Sequence, residues 1–356
     1  MNKEKISRFV CQKKCDAVIL FNESNMHYVC TFSPSEGVII ITSDNKGYHI
    51  VDSRYTETAL NHAKKTGLTV IETSGKFFDD IKSIIKKHNI KRLLFENETI
   101  SLAKYNALNE NLSGVELLNA DNGIMLLRNK KELYEINLIK EANNIAEKSF
   151  IELLNYVKPD KSEKELASYF DYLMAKNGSD GVSFDTILLT GSHTSMPHGV
   201  PSDRKIQKGD FVLFDFGATC QGYHSDMTRT VAVGYATDEM KECYDLVLKA
   251  QKAGIKALDA GVKCSDVYKA SYDVLEENDM ARYFRHSLGH GVGIDIHEGY
   301  NASPKSTDTF ETGNVTSIEP GIYIPDKFGI RIEDLLYLSP RGRENLSKIT
   351  KELIIL

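Results

Sequence analysis

Four carboxylates and a group of histidines are the residues of this chain whose types and spacing could do chemistry. Asp215 and Asp226 stand eleven residues apart in FVLFDFGATCQGYHSDMTRTVAVG (211–234). Gly217 and Gly222 bracket a turn between them, and in FVLFDF the residues Phe211, Leu213 and Asp215 share one strand face because successive side chains alternate. Glu319 and Glu333 stand fourteen apart in SIEPGIYIPDKFGIRIEDLLYL (317–338), across a turn containing Pro325 and Gly329. Each segment predicts a hairpin that presents two acids, so the second echoes the first. Between them, in FRHSLGHGVGIDIHEG (284–299), His286, His290 and His297 crowd around Gly289, Gly291 and Gly293. Glycines there permit tight turns and close approach to a ligand. His193, His198 and His224 lie upstream.

One strand-end Asp is ordinarily a turn or cap, and one His an ordinary surface or core residue; the combination is what carries weight. Asp215-Phe216-Gly217 has the letters of the kinase metal triplet, but no His-Arg-Asp loop or phosphate-binding lysine strand accompanies it. GHGVG (289–293) is not the dinucleotide fingerprint, and no βα unit frames it. Four carboxylates on one sheet face repel strongly in a low-dielectric cleft, so they must take up protons or bind cations. Two divalent ions would balance four such charges. Oxygen-rich ligation with one imidazole suits Mn²⁺, Co²⁺, Fe²⁺ or Zn²⁺. Two ions ~3.5–4 Å apart can share a water, lower its pKa and clamp a developing oxyanion.

The elements that must position these groups fall into two sets. A chain of 356 residues predicts two domains, at roughly 100–200 residues each. AVILF (17–21), GVIIIT (37–42), GYHIV (47–51), LTVIE (68–72) and RLLFE (92–96) read as short strands, alternating with helical patterns at 53–65 and 77–88. They predict an N-terminal α/β domain over 1–125. A helix is expected over about 130–156, with Ile136, Ile139, Ala142, Ala146, Phe150 and Leu153 on one face and Pro159 ending it. Strands are expected at 182–190, 211–216, 223–233, 315–319, 321–324 and 330–338, and helices near 162–177, 236–257 and 264–279. That pattern predicts an α+β domain over 126–356 with a curved antiparallel sheet flanked by helices.

Composition narrows the partners. Hydrophobic residues make up 41%, charged residues 26%, and the net charge is −6 without a basic block. Neither nucleic acid nor a membrane surface is an expected partner. The six cysteines are scattered without a CxxC pair, as in a reduced, cytoplasmic protein. Cys11 and Cys15 are expected four apart on one helix. The charged N-terminus lacks a signal core, and no run approaches the ~20 apolar residues of a membrane helix.

The motifs resemble those of the pita-bread-fold metallopeptidases, which include aminopeptidase P, prolidase and methionine aminopeptidase. The matching stretches are SFDTILLTGSHTSMPHG (183–199), DFGATCQGYHSDMTRT (215–230), HSLGHGVGIDIHE (286–298), SIEPGIYIP (317–325) and GIRIED (329–334). The likeness covers roughly 130–356, and VDSRYTETA (51–59) resembles the smaller domain carried by aminopeptidase P, prolidase and creatinase. The resemblance implies metal ligation by Asp215, Asp226, His290, Glu319 and Glu333, with Asp226 and Glu333 bridging two ions. It also implies that Glu319 is the general base, that His198 and His297 hold the substrate carbonyl, and that His286 lines the cleft. Tyr323 and Arg331 match positions that steady the site.

Creatinase-like relatives lose the metals, whereas all five ligand positions are filled here, and methionine aminopeptidases generally lack the N-terminal domain. The implied activity is hydrolysis of Xaa-Pro bonds at peptide N-termini by a metal-bridged water or hydroxide. Two divalent ions per subunit are expected, Mn²⁺ before Co²⁺ or Zn²⁺, in a homodimer. Proline lacks the N–H that ordinary peptidases read, so a dedicated pocket must recognise its ring. Many relatives carry Pro-Arg shortly after the His-Glu pair, where this chain has Tyr300-Asn301. Without that cation to hold a free carboxylate, the expectation tilts to aminopeptidase P over prolidase, a dipeptidase. A non-catalytic peptide-binding relative and a creatinase-type amidinohydrolase are the remaining alternatives, and the intact ligand set argues against both.

Overall fold

A computed structural model describes residues 2–32 and 34–356 of the chain. They form two compact units, Met1–Arg128 and Asn129–Leu356.

The first unit is a mixed sheet with helices around it. Its strands are β1 (Ala17–Leu20), β2 (Gly37–Thr42), β3 (Gly47–Val51), β4 (Thr69–Glu72), β5 (Arg92–Phe95) and β6 (Glu116–Asn119), in the order β4-β3-β2-β1-β5-β6. The central β1 and β2 are apolar and buried along nearly their whole length, as strands covered on both faces must be. Its helices are α1 (Asn2–Gln12), α2 (Glu23–Cys30), α3 (Thr56–Thr66), α4 (Phe77–Lys87), α5 (Leu102–Asn111) and α6 (Gly123–Asn129). Cys11 and Cys15 do not share a helix as expected. α1 stops at Gln12, Lys14 takes a left-handed φ of 54°, and the Cys15 N–H closes back on the Val10 carbonyl at 3.1 Å. That reversal turns the chain into β1.

The second unit is built on two hairpins, each backed by a helix pair. The helices α7 (Leu133–Leu154) and α8 (Glu163–Lys176) both begin with capping boxes, Glu132 with Glu135 and Ser162 with Glu165. α7 ends at Leu154, ahead of Pro159. The first hairpin comprises β8 (Phe211–Phe216), β9 (Thr219–Cys220), β10 (Tyr223–His224) and β11 (Met227–Ala232), with β7 (Ile187–Thr190) alongside β8. Phe150 and Phe170 from α7 and α8 pack on Phe214 and Phe216, with Phe150 stacked on Phe216 at 5.4 Å. The opposite parity of the same strand, Phe211, Leu213 and Asp215, faces away from those helices, and Phe211 joins the other core.

That other core gathers α9 (Asp238–Ala257) and α10 (Cys264–Glu276) with the second hairpin. Short strands β12 (Gly289–His290) and β13 (Asn301–Ala302) pair with each other. β14 (Val315–Ile318), β15 (Gly321–Ile324), β16 (Phe328–Arg331), β17 (Asp334–Ser339) and β18 (Gly342–Asn345) follow. Buried Arg229 and Asp334 join the two hairpins by an ion pair at 2.9 Å.

Three expected strands are interrupted. The 182–190 strand forms a ladder only over Ile187–Thr190; upstream, Val182 makes an isolated bridge to Ala218 and the Ser183 N–H donates to the Gly217 carbonyl at 2.9 Å. The 223–233 strand breaks at Ser225–Asp226, and the 330–338 strand at Ile332–Glu333. The turn of the second hairpin is carried by Asp326 at φ 61°; Gly329 lies inside β16, where the Thr194 carbonyl leaves no room for a Cβ. The α+β architecture with its antiparallel hairpins is as the sequence predicts.

Candidate metal centre

The strand interruptions create the site. In the second hairpin, β14 pairs with β17 and β15 with β16 in one unbroken register, with Ile318 opposite Asp334 and Gly321 opposite Arg331. Glu319 and Glu333 therefore fall opposite each other in the gap between the two ladders. The first hairpin repeats this: Phe216 faces Met227 on one side of the gap and Thr219 faces His224 on the other, which leaves Asp226 in the gap and Asp215 beside it. The gaps in the ladders let Asp226, Glu319 and Glu333 turn toward one cleft, which Asp215 reaches from within β8.

The cleft encloses about 620 Å³ and is lined by all four acids, by His198, His286, His290 and His297, and by Arg331. Nε2 of His290 lies 3.4 Å from Asp226 Oδ2 and 3.3 Å from Glu319 Oε1. Ligand atoms of Asp226, His290 and Glu333 lie within 4.8 Å of one another. His290 is aimed by its surroundings. Its N–H donates to Ser317 Oγ at 3.1 Å, its Nδ1 sits 3.2 Å from the Gly291 carbonyl, and Thr316 Oγ1 donates to its carbonyl at 3.0 Å. Nε2 is left facing the acids. Gly289 is required next to it because a Cβ would strike the Ser317 carbonyl at 1.9 Å.

Three of the acids are each held by one oxygen. Arg331 Nη2 donates to Asp215 Oδ2 at 2.5 Å, Thr228 Oγ1 donates to Glu333 Oε2 at 2.8 Å, and Ser317 Oγ donates to Glu319 Oε1 at 3.2 Å. Arg331 also reaches Thr228 Oγ1 at 3.1 Å and Tyr323 Oη at 2.5 Å, and Tyr323 Oη meets His286 Nε2 at 2.9 Å. Asp215 Oδ1 and Glu333 Oε1 are buried without a partner.

The electrostatics are those of crowded anions. Burial, then the neighbouring Asp215 and Glu319 charges, holds Asp226 well above the usual carboxylate range. Burial and the Asp226 charge do the same to Glu333. Burial pushes Glu319 up to about 8, against the pull of Arg331. Burial also takes His290 down to about 4 and His286 to about 3, so both imidazoles are neutral lone-pair donors at neutral pH. Two orphaned buried carboxylate oxygens, repelling acids and a neutral imidazole aimed between them fit a hard divalent cation.

The remaining residues are placed as follows. His297 stacks edge-on against His290 with centroids 4.1 Å apart, and His198 lies close enough to His286 and His297 to disfavour their protonation, after burial. Asn301 lines the cleft, whereas Tyr300 turns from it and packs on Phe310. His193 and His224 are not among the described residues lining the cleft. Thr228, Thr316 and Ser317 escaped sequence reasoning. Only the hairpin register, which sets Thr228 opposite Asp215, could have marked one of them.

Comparison with known proteins identifies the family. Residues 137–340 match the model of metallopeptidase family M24, and residues 3–130 match the creatinase/prolidase N-terminal domain. The chain is 35% identical to the Xaa-Pro dipeptidase of Pyrococcus furiosus, covering 99% of both chains. Its structure is similar to the Xaa-Pro dipeptidase from Bacillus anthracis, with a TM-score of 0.95 at 36% identity over 100% of this chain and 99% of that one. It is also similar to the X-Pro aminopeptidase from Thermotoga maritima, with a TM-score of 0.92 at 32% identity over 99% of each. The chain therefore belongs to metallopeptidase family M24 and carries the creatinase/prolidase domain ahead of its peptidase domain.

Proposed function

We propose that this chain is a metal-dependent Xaa-Pro dipeptidase. The observation that carries the reading is the convergence of Asp215, Asp226, His290, Glu319 and Glu333 on one cleft, in a chain whose full length matches proteins named Xaa-Pro dipeptidase. Those names favour the dipeptide-cleaving alternative over the aminopeptidase that Tyr300-Asn301 suggested, although the Thermotoga likeness keeps longer peptides in view. Asn301 sits in the cleft where its neutral amide can still donate to a carboxylate.

In this reading Asp215, Asp226, His290, Glu319 and Glu333 would hold two divalent ions, with Asp226 and Glu333 as the candidate shared ligands. When bound, the ions supply the positive charge that polarises the substrate carbonyl and lowers the pKa of a water. Glu319 takes the proton from that attacking water and delivers it to the proline nitrogen as the bond breaks. His198 and His297 donate to the oxygen on which charge develops. Tyr323, Arg331 and His286 form a connected chain that fixes Asp215. Mn²⁺ is the assigned ion, on the strength of four oxygen donors to one imidazole, with Co²⁺ and Zn²⁺ as alternatives. The protein is further assigned to the cytoplasm as a homodimer. The free cysteines support the first, and among the described residues no helix is long and apolar enough to cross a membrane.

A length series tests the proposal. With Mn²⁺ bound, Xaa-Pro should be hydrolysed with a kcat/KM about 10-fold or more above Xaa-Pro-Yaa, one well-placed interaction being worth ~1.4 kcal/mol. The reverse order restores the aminopeptidase reading, and no release of the first residue from either substrate overturns both.

A further inference from the structure

The segment that carries His198 is fastened at both ends to one buried carboxylate. Glu163 opens α8 and has no exposed surface. Its Oε1 accepts from the Thr190 N–H at 2.7 Å. Its Oε2 accepts from the Ser202 N–H at 2.9 Å and the Ser202 hydroxyl at 2.6 Å, and lies 3.2 Å from His193 Nδ1. Thr190 is where the segment leaves β7, and Ser202 is where it returns. The backbone repeats the clamp, since the Glu163 and Lys164 N–H groups donate to the Arg204 and Ser202 carbonyls at 3.1 Å each.

Between these anchors the segment is tied to the strand that carries Arg331. The Gly329 N–H donates to Thr194 Oγ1 at 2.7 Å, and Arg331 Nη1 reaches the Pro197 carbonyl at 3.5 Å. His198 follows Pro197 directly. The backbone that leads into and out of His198 is thus held by Arg331 on one side and by Glu163 at the base. Glu163 itself is not among the described residues lining the cleft.

We infer that Glu163 is a positioning residue for His198, acting through the 190–202 segment; this rests on the reading of His198 as a donor to the reacting carbonyl. The chemistry of the clamp is specific to a carboxylate. Two backbone N–H groups and a hydroxyl converge on its two oxygens, so both must accept. A glutamine of the same shape puts an NH₂ against one of these donors and opens that end of the segment. Displacement of a reacting group by an ångström can cost on the order of 10²-fold.

The test is a double-mutant cycle on the Mn²⁺-loaded protein. Glu163→Gln should keep its full metal content and lower kcat by ~10–100-fold with KM little changed. Once His198 is replaced by Ala, adding Glu163→Gln should cost nothing further, because there is no imidazole left to position. A general loss of structure would instead multiply with the His198 defect, and that result overturns the inference. Ser202→Ala removes one donor from the same clamp and carries the test if Glu163→Gln does not fold. It should give a smaller loss of kcat that also vanishes without His198, and unchanged kcat overturns the inference. A wild-type protein inert toward every Xaa-Pro peptide sinks the functional reading and this inference together. An active wild type with an equally active Glu163→Gln variant sinks the inference alone.

Discussion

Replacing Glu333 by Ala is expected to abolish metal loading and bring peptide hydrolysis to background. Glu333 stands in the gap between β16 and β17, with Oε2 fixed by Thr228 and Oε1 buried and unpartnered. Its ligand atoms lie within reach of both Asp226 and His290. A residue proposed to bridge two ions takes both sites with it when it is removed. Asp226→Ala should behave alike. Metal content per chain, measured after dialysis, checks the outcome, and full activity in either variant would contradict the bridging roles.

The same substitution should have the opposite effect on the metal-free protein. Asp226, Glu319 and Glu333 all have folded-state pKa values above their ordinary ones, with burial as the leading cause. A raised carboxylate is protonated more readily in the folded state. Its contribution to stability is therefore fully present below the unfolded pKa, ~4.3 for Glu, and is lost as pH rises through the folded value. For Glu319 that window runs up to about 8. The metal-stripped protein should thus lose Tm between about pH 5 and 8, and Glu333→Ala should soften that loss by removing one repelling charge. Added Mn²⁺ should restore the wild type by ~2.7 kcal/mol at one hundred times its Kd and leave Glu333→Ala unmoved. A stripped wild type whose Tm is flat over this range would contradict the crowding argument.

What the sequence disclosed follows from which physical constraints leave local marks. The acids were legible because carboxylates on strands flanking turn residues conflict with burial unless something neutralises them. The hairpins were legible from strand alternation, and α7 from its apolar face. The breaks at Ser225–Asp226 and Ile332–Glu333 were not, because a ladder interrupted in register keeps the same alternation on both sides. α5 buries only Leu108 and has no strong apolar stripe to read, and β6 is a half-exposed edge strand of four residues. Gly329 looked like a turn residue, yet its role is to admit the Thr194 backbone, a contact 135 residues away in sequence. Glu163 was invisible for the same reason. A Glu following Ser162 reads as an ordinary first-turn acid, and only the tertiary structure shows both ends of the His198 segment closing on it.

His198→Ala is expected to leave the metals in place and lower kcat by ~10²–10³-fold, the usual effect of removing one donor to a developing oxyanion. The separation of the two effects is what the geometry supports. His198 lines the cleft but is not one of the five residues assigned to hold the metals, so in that reading its loss removes no metal donor. It lies near His286 and His297, whose pKa values burial lowers. An imidazole presents its N–H in a fixed direction in the ring plane, so the orientation of the ring decides whether that N–H meets the substrate. The loss should therefore fall on kcat more than on KM, because the charge it meets develops only as the bond is broken. Steady-state kinetics on Xaa-Pro with metal content measured in the same sample checks this. A variant that loses its metals, or one whose defect lies wholly in KM, would remove His198 from the reaction and place it in substrate binding or metal retention instead.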